Sequence, residues 1–220
     1  VITKEMKPIS IHKGELGSYK APHNESITPE DPVPAKGGYI YDFGENNAGT
    51  FRLKIKGHAG QKINLQCAEL LDEEGRVSYD NINYYPDGYS QRDIYILGGE
   101  DEEIFEPMFV YHGFRYVYVE GITEEQATPE LLTYLVMTSG LESRGSFACS
   151  DERTNKLFEI ACRSDRANCY YFPTDCPQRE KNGWTADAAL SSSHALLYFE
   201  PTANYKQWLT AICKAQDERG

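Results

Sequence analysis

Between Asp175 and Asp187 the chain reads Asp175-Cys-Pro-Gln-Arg-Glu-Lys-Asn-Gly-Trp-Thr-Ala-Asp187, so three carboxylates, an arginine and a tryptophan fall within thirteen residues. This is the mixture that sugar sites use. Carboxylates accept hydrogen bonds from vicinal hydroxyls, an indole face covers the apolar side of a pyranose, and a carboxyl kept protonated can donate to a glycosidic oxygen. Arg179 can orient a neighbouring carboxylate by a two-pronged contact and keep it ionised for hydroxyl binding. A purely structural reading is equally open at this point: Asp187 caps a helix, Trp184 fills a core, and Arg179 pairs with Glu180 or Asp175.

The elements around this segment decide how it is held. Ser150-Asp-Glu-Arg has the form of a helix start, and Leu157, Ile160, Ala161 and Ala167 follow at helical spacing, which predicts a helix over about 151–171. Pro173 and Pro177 break it, so 172–185 is expected as a loop, and helical composition returns over 187–199 and 202–216. Upstream, from Tyr39 to about Met137, short β-rich runs alternate with Gly, Asp and Asn punctuation. In Phe51-Arg-Leu-Lys-Ile-Lys56, Phe51, Leu53 and Ile55 share one face and the basic residues the other, as in a half-buried antiparallel strand. Several such strands predict a β-sandwich. The expected organisation is therefore α+β: a lead-in segment over 1–38, a β-sandwich over 39–137, and a helical region over 138–220 that reads as unfinished, since three helices cannot cover all of Leu190, Leu196, Leu197, Trp208, Leu209 and Ile212.

Composition narrows the partners. The 220 residues carry 22 basic and 34 acidic side chains, a net charge of −12, with no basic run, which argues against nucleic acid. No stretch approaches the roughly 18 consecutive apolar residues of a membrane span. The six cysteines have no C-x-x-C spacing and no His beside them at metal-ligand distance, so they read as thiols rather than as a metal site. No Gly-rich phosphate loop is present, and no cofactor is expected.

The segment Thr174-Asp-Cys-Pro-Gln-Arg-Glu-Lys-Asn-Gly-Trp-Thr-Ala-Asp187 closely resembles the active-site motif of the bacterial α-L-rhamnosidases of glycoside hydrolase family 78. Tyr41-Asp-Phe-Gly-Glu-Asn-Asn-Ala-Gly49, Ala68-Glu69-Leu70, Phe105-Glu-Pro107 and Tyr111-His-Gly-Phe-Arg-Tyr116 resemble markers of that family's β-sandwich domain. Gly145-Ser-Phe147 through Asn155 resembles the start of its catalytic barrel. The motifs keep their order across residues 40 to 220.

The resemblance implies an antiparallel β-sandwich followed by the first helices of an incomplete (α/α)6 barrel, acting on a small-molecule rhamnoside or a rhamnose-containing glycan. It implies Glu180 as the catalytic general acid, and Asp175, Arg179, Trp184 and Asp187 as substrate-binding residues. Some members carry an Asp-Glu pair in a loop one residue longer, where this chain has Glu180 followed by Lys181. The family inverts anomeric configuration with a Glu base far downstream, which implies that this chain alone turns over little. His112, Arg115 and His194 read as packing residues, and Gly44 and Gly49 as turn residues. A second functional class is a non-catalytic carbohydrate-binding module that stacks sugars on Tyr84, Tyr85 and Tyr89.

Overall fold

A computed structural model describes residues 1–17, 36–82 and 91–219. Its strands are β1 (Ile2–Met6), β2 (Ser10–Glu15), β3 (Lys36–Ile55), β4 (Lys62–Ala68), β5 (Leu70–Leu71), β6 (Val77–Ser78), β7 (Arg92–Ile96), β8 (Glu103–Phe105), β9 (His112–Glu120) and β10 (Leu132–Met137). Three helices follow, α1 (Glu152–Ala167), α2 (Thr185–Tyr198) and α3 (Thr202–Ala215). The chain divides into two compact units, one of residues 2–136 and one of residues 137–220 together with Val1. The α+β class expected from the sequence is the class observed.

In the first unit one sheet runs β1-β10-β3-β9-β4-β7, with β2 and β8 also paired to β3. The 20-residue β3 serves both halves of it. Its first part lies between β2 and β9, and its second part pairs with β10 and β8. Between them the register against β9 jumps from Asp42↔Tyr116 to Asn47↔Phe114, so residues 43–46 bulge out of the ladder and bend the strand. Gly44 takes a left-handed φ of +77° at this bend, and a Cβ there would sit 3.0 Å from Ile9 Cδ1.

The alternation read in 51–56 is the observed one, with Phe51, Leu53 and Ile55 buried and Lys54 and Lys56 exposed. Around them Phe114 stacks on Tyr134 with centroids 3.8 Å apart, while Phe43 meets the Tyr134 ring edge-on at 5.4 Å. The Tyr134 hydroxyl donates to the Phe114 carbonyl at 3.1 Å, which satisfies its only polar atom inside this core.

Residues 2–15, expected as a lead-in, instead supply β1 and β2 to the sheet. Both strands lie at its margin, and the side chains of β1 are exposed apart from half-buried Met6, so no apolar alternation marks them.

In the second unit α1 begins where expected. The Asp151 carboxylate accepts the backbone N–H groups of Arg153 at 2.8 Å and Thr154 at 3.3 Å. It ends at Ala167, four residues before the expected 171, because Asn168 leaves helical geometry and its side-chain amide donates to the Ser164 carbonyl at 3.1 Å. The Asn168 carbonyl then accepts the Thr174 backbone N–H at 2.8 Å, which starts the following loop. All three helices carry exposed apolar side chains, including Leu157, Leu190, Leu197 and Leu209, and α3 has no buried residue.

Candidate active-site loop

The loop between α1 and α2 is closed on itself. Asp175 donates its backbone N–H to the Asn182 carbonyl at 3.0 Å and receives the Asn182 N–H on Oδ1 at 2.9 Å. The other carboxylate oxygen, Oδ2, receives the Cys176 thiol at 3.1 Å, and the same sulfur accepts the Glu180 backbone N–H at 3.3 Å. One thiol thus joins the Asp175 carboxylate to the backbone that carries Glu180. Lys181 completes the turn in left-handed geometry, with φ of 56°. Gly183 passes so close to α3 that a Cβ would lie 2.8 Å from Trp208 Nε1 and 3.0 Å from the Phe172 ring.

Two groups of candidate residues emerge. Glu180, Arg179 and Trp184 form the first: the indole Nε1–H of Trp184 donates to Glu180 Oε2 at 2.8 Å, and Arg179 Nη2 lies 3.5 Å from Oε1. Trp184 is 53% exposed, so it is not a core residue. It is also the residue that precedes α2, and no side chain caps that helix. Asp187 lies in the first turn of α2 with its carboxylate exposed, where it complements the helix dipole without capping a backbone group.

Asp175 and Asp187 form the second group, on the wall of a hollow of about 410 Å³, within the ~300–1,000 Å³ range of small-ligand sites. Asp165, Ser191, His194 and Tyr205 line it with them. A hollow of about 520 Å³ elsewhere in this unit, walled by Phe147, Phe158 and Tyr198, contains none of the loop carboxylates.

His194, read from the sequence as a packing residue, stands in the carboxylate-lined hollow with its side chain 47% exposed, and its Nδ1 lies 2.9 Å from Asp165 Oδ2. Burial raises the Asp165 carboxyl above its ordinary value, against the opposing hydrogen bond from His194. Asp165 drew no notice in the sequence. It sits on α1, 29 residues from His194, and only the packing of α1 on α2 joins them.

In the first unit, His112 and Arg115 have structural partners. His112 Nε2 lies 2.6 Å from Asp93 Oδ2 with both side chains largely buried, and Arg115 pairs with Asp42. Glu69 accepts the side-chain amides of Asn46 at 2.8 Å and Asn81 at 2.6 Å, which ties the β3 bulge to the end of β4. Tyr84, Tyr85 and Tyr89 lie outside the described residues. Cys67, Cys162 and Cys169 are buried, and none of the six thiols is in a disulfide. Among the described residues no three His, Cys, Asp or Glu side chains are grouped to hold a metal ion, and no helix is long and apolar enough to cross a membrane.

A sheet unit is followed along the chain by three helices, the first two of which flank the carboxylate-rich loop. Residues 34–138 match the family model of the bacterial α-L-rhamnosidase concanavalin-like domain, and residues 142–220 match that of the bacterial α-L-rhamnosidase six-hairpin glycosidase domain. The chain belongs to the bacterial α-L-rhamnosidase family. An α-L-rhamnosidase of Formosa agariphila is 34% identical over 177 residues, a match covering 80% of this chain and 18% of that protein. The solved structure of the α-L-rhamnosidase from Dictyoglumus thermophilum superposes with a TM-score of 0.81 at 34% identity, over 99% of this chain and 22% of that one. That of the Streptomyces avermitilis α-L-rhamnosidase complexed with L-rhamnose gives 0.80 at 29% identity, over 99% and 19%. The chain thus spans about a fifth of the length of these relatives.

Proposed function

We propose that this chain carries the proton-donor side of the active site of an inverting glycoside hydrolase that removes terminal α-L-rhamnose from rhamnosides or rhamnose-containing glycans. Glu180 is the general acid, Asp175 and Asp187 bind sugar hydroxyls, Arg179 orients the neighbouring carboxylate, and Trp184 covers one side of the sugar. The observation that carries the reading is the closed loop itself: the Cys176 thiol links the Asp175 carboxylate to the Glu180 backbone, so the proposed binding group and the backbone of the proposed acid are tied through one side chain. Asp187 adds a second carboxylate to the hollow that Asp175 lines.

Inversion requires a second, ionised carboxyl roughly 6.5–9.5 Å from the acid, across the sugar, to activate water. That base lies in the later part of the barrel, downstream of residue 220, and the chain alone hydrolyses little or nothing. The exposed Leu190, Leu197 and Leu209 fit this reading, as surfaces that further barrel helices would cover.

An aryl α-L-rhamnoside, offered to this chain and to the full-length polypeptide that carries it, tests both parts. The expected result is turnover by the full-length protein only. Equal turnover by the chain alone would refute a downstream base, and turnover of a different glycoside in a panel of aryl glycosides would refute the sugar. Glu180→Gln in the full-length protein is expected to lower kcat about 10²-fold or more on poor leaving groups while L-rhamnose still binds.

A further inference from the structure

The Trp184 indole was read as a wall for the sugar, yet its one polar atom is spent on Glu180. Nε1–H donates to Oε2 at 2.8 Å, an ordinary length for a charge-assisted N–H···O bond. The two residues are four apart but not in a common helix. Left-handed Lys181 and close-packed Gly183 fold the chain back between them. The backbone of both residues is held: the Trp184 carbonyl accepts the Ala188 N–H at 3.2 Å at the start of α2, and the Glu180 N–H is held by the Cys176 sulfur at 3.3 Å.

An indole N–H can only donate and does not titrate near neutral pH. Any oxygen bonded to it is an acceptor whether or not the carboxyl is protonated. With Oε2 taken in this way, its lone pair already committed to the indole, the proton of a protonated Glu180 is favoured on Oε1.

We propose that Trp184 is a positioning residue for proton donation: its indole N–H holds the rotation of the Glu180 carboxyl and favours the transferable proton on Oε1. This rests on the reading of Glu180 as the general acid. In the reaction the Oε1–H bond breaks as the proton passes to the glycosidic oxygen, and the C–O bond breaks with its electron pair going to that oxygen. A water adds to the anomeric carbon from the opposite face and gives its proton to the second carboxyl of the proposed mechanism, and the carboxylate left on Glu180 keeps the indole contact on Oε2. A carboxyl free to rotate would present its proton in the correct direction only part of the time, and rate falls steeply with such misplacement.

Trp184→Phe in the full-length polypeptide is the test, since it keeps a ring face and removes the N–H. Two α-L-rhamnosides are compared, a nitrophenyl one whose leaving group needs little protonation and an alkyl one that needs it fully. The expected result is a kcat that falls about tenfold or more further on the alkyl rhamnoside than on the nitrophenyl one, over and above any change common to both substrates from the smaller ring. An equal change on both substrates, in KM or kcat, would mean the ring acts as a wall alone and would overturn the proposal while the assignment of Glu180 stands. Retained alkyl-rhamnoside turnover in Glu180→Gln would instead remove Glu180 as the acid, and this proposal with it.

Should Trp184→Phe fail to fold, the indole N–H resonance of Trp184 in the wild-type chain, assigned with Trp208→Phe, decides the contact. It is expected to differ between wild type and Glu180→Gln, because the carboxyl acceptor on the indole N–H is replaced by an amide. A resonance at the same position in both would overturn the proposal.

Discussion

Arg115 grips Asp42 with two hydrogen bonds, Nε to Oδ1 at 2.8 Å and Nη2 to Oδ2 at 2.9 Å, across the point where β3 bulges away from β9. The same Oδ1 receives the Gly44 N–H at 2.6 Å, so one carboxylate closes both the bulge and the strand pairing beside it. Burial opposes the charge on Asp42, but the hydrogen bonds from Arg115 and Gly44 prevail and hold its carboxyl below the ordinary range.

The pair therefore stabilises the sheet unit with a definite pH dependence. Because the folded value of Asp42 lies below the ordinary 3.8, its contribution is complete above that pH and is lost as pH falls through the folded value. Arg115→Ala, which leaves Asp42 largely buried and half-satisfied, is expected to cost about 2 kcal/mol at neutral pH. Denaturant melts of the two proteins should converge in strong acid, and a gap that is constant with pH would contradict this account.

Asp165 is expected to act in the opposite sense. Its folded value is raised above 3.8, so its contribution is most favourable below that value and is lost as pH rises through the folded one, where the buried carboxyl must ionise beside His194. Asp165→Asn keeps a hydrogen-bonding group at the same position and removes the buried charge. Its melting temperature relative to wild type should rise between acid and neutral pH, and a relative fall would show that the charge itself is needed to hold His194.

Gly183 is a packing requirement. A Cβ 2.8 Å from Trp208 Nε1 and 3.0 Å from Phe172 cannot be absorbed without shifting two rings, so Gly183→Ala is expected to destabilise by about 1–3 kcal/mol. Thermal unfolding followed by Trp fluorescence measures it. Unchanged stability would mean the loop relaxes freely, contrary to the closed network around Asp175.

Cys176 bears on sugar binding through Asp175. Cys176→Ala removes both the thiol donor to Asp175 and the acceptor for the Glu180 N–H, while Cys176→Ser retains a donor and an acceptor on a shorter bond. Calorimetry with L-rhamnose on the full-length polypeptide should show weaker binding by Ala, with Ser recovering part of it. Equal affinity for all three would mean the thiol bridge has no part in holding Asp175.

Much of this was open to reading along the chain. The alternation of Phe51, Leu53 and Ile55 has the period of a strand half-buried on one face, and that strand is the one observed. Ser150-Asp-Glu-Arg marks the start of α1 because capping is local, set by side chains two or three residues from the N–H groups they satisfy. The end of α1 was less legible, since Asn168 ends it by bonding forward to Thr174 as well as back to Ser164. β1 was illegible: a strand at the sheet margin with almost all its side chains in water has no apolar period to display.

The sequence by itself determined the α+β order, the position of the carboxylate-rich loop, and the family to which the chain belongs, because each rests on residue types at short, fixed spacings. Only the tertiary structure decided that the Trp184 N–H lies on Glu180, that Cys176 joins Asp175 to the acid's backbone, and that Asp165 faces His194. Hydrogen bonds are won or lost within a few tenths of an ångström. That precision comes from how the loop turns back at Lys181 and Gly183 and how α1 packs on α2, which no spacing along the chain encodes.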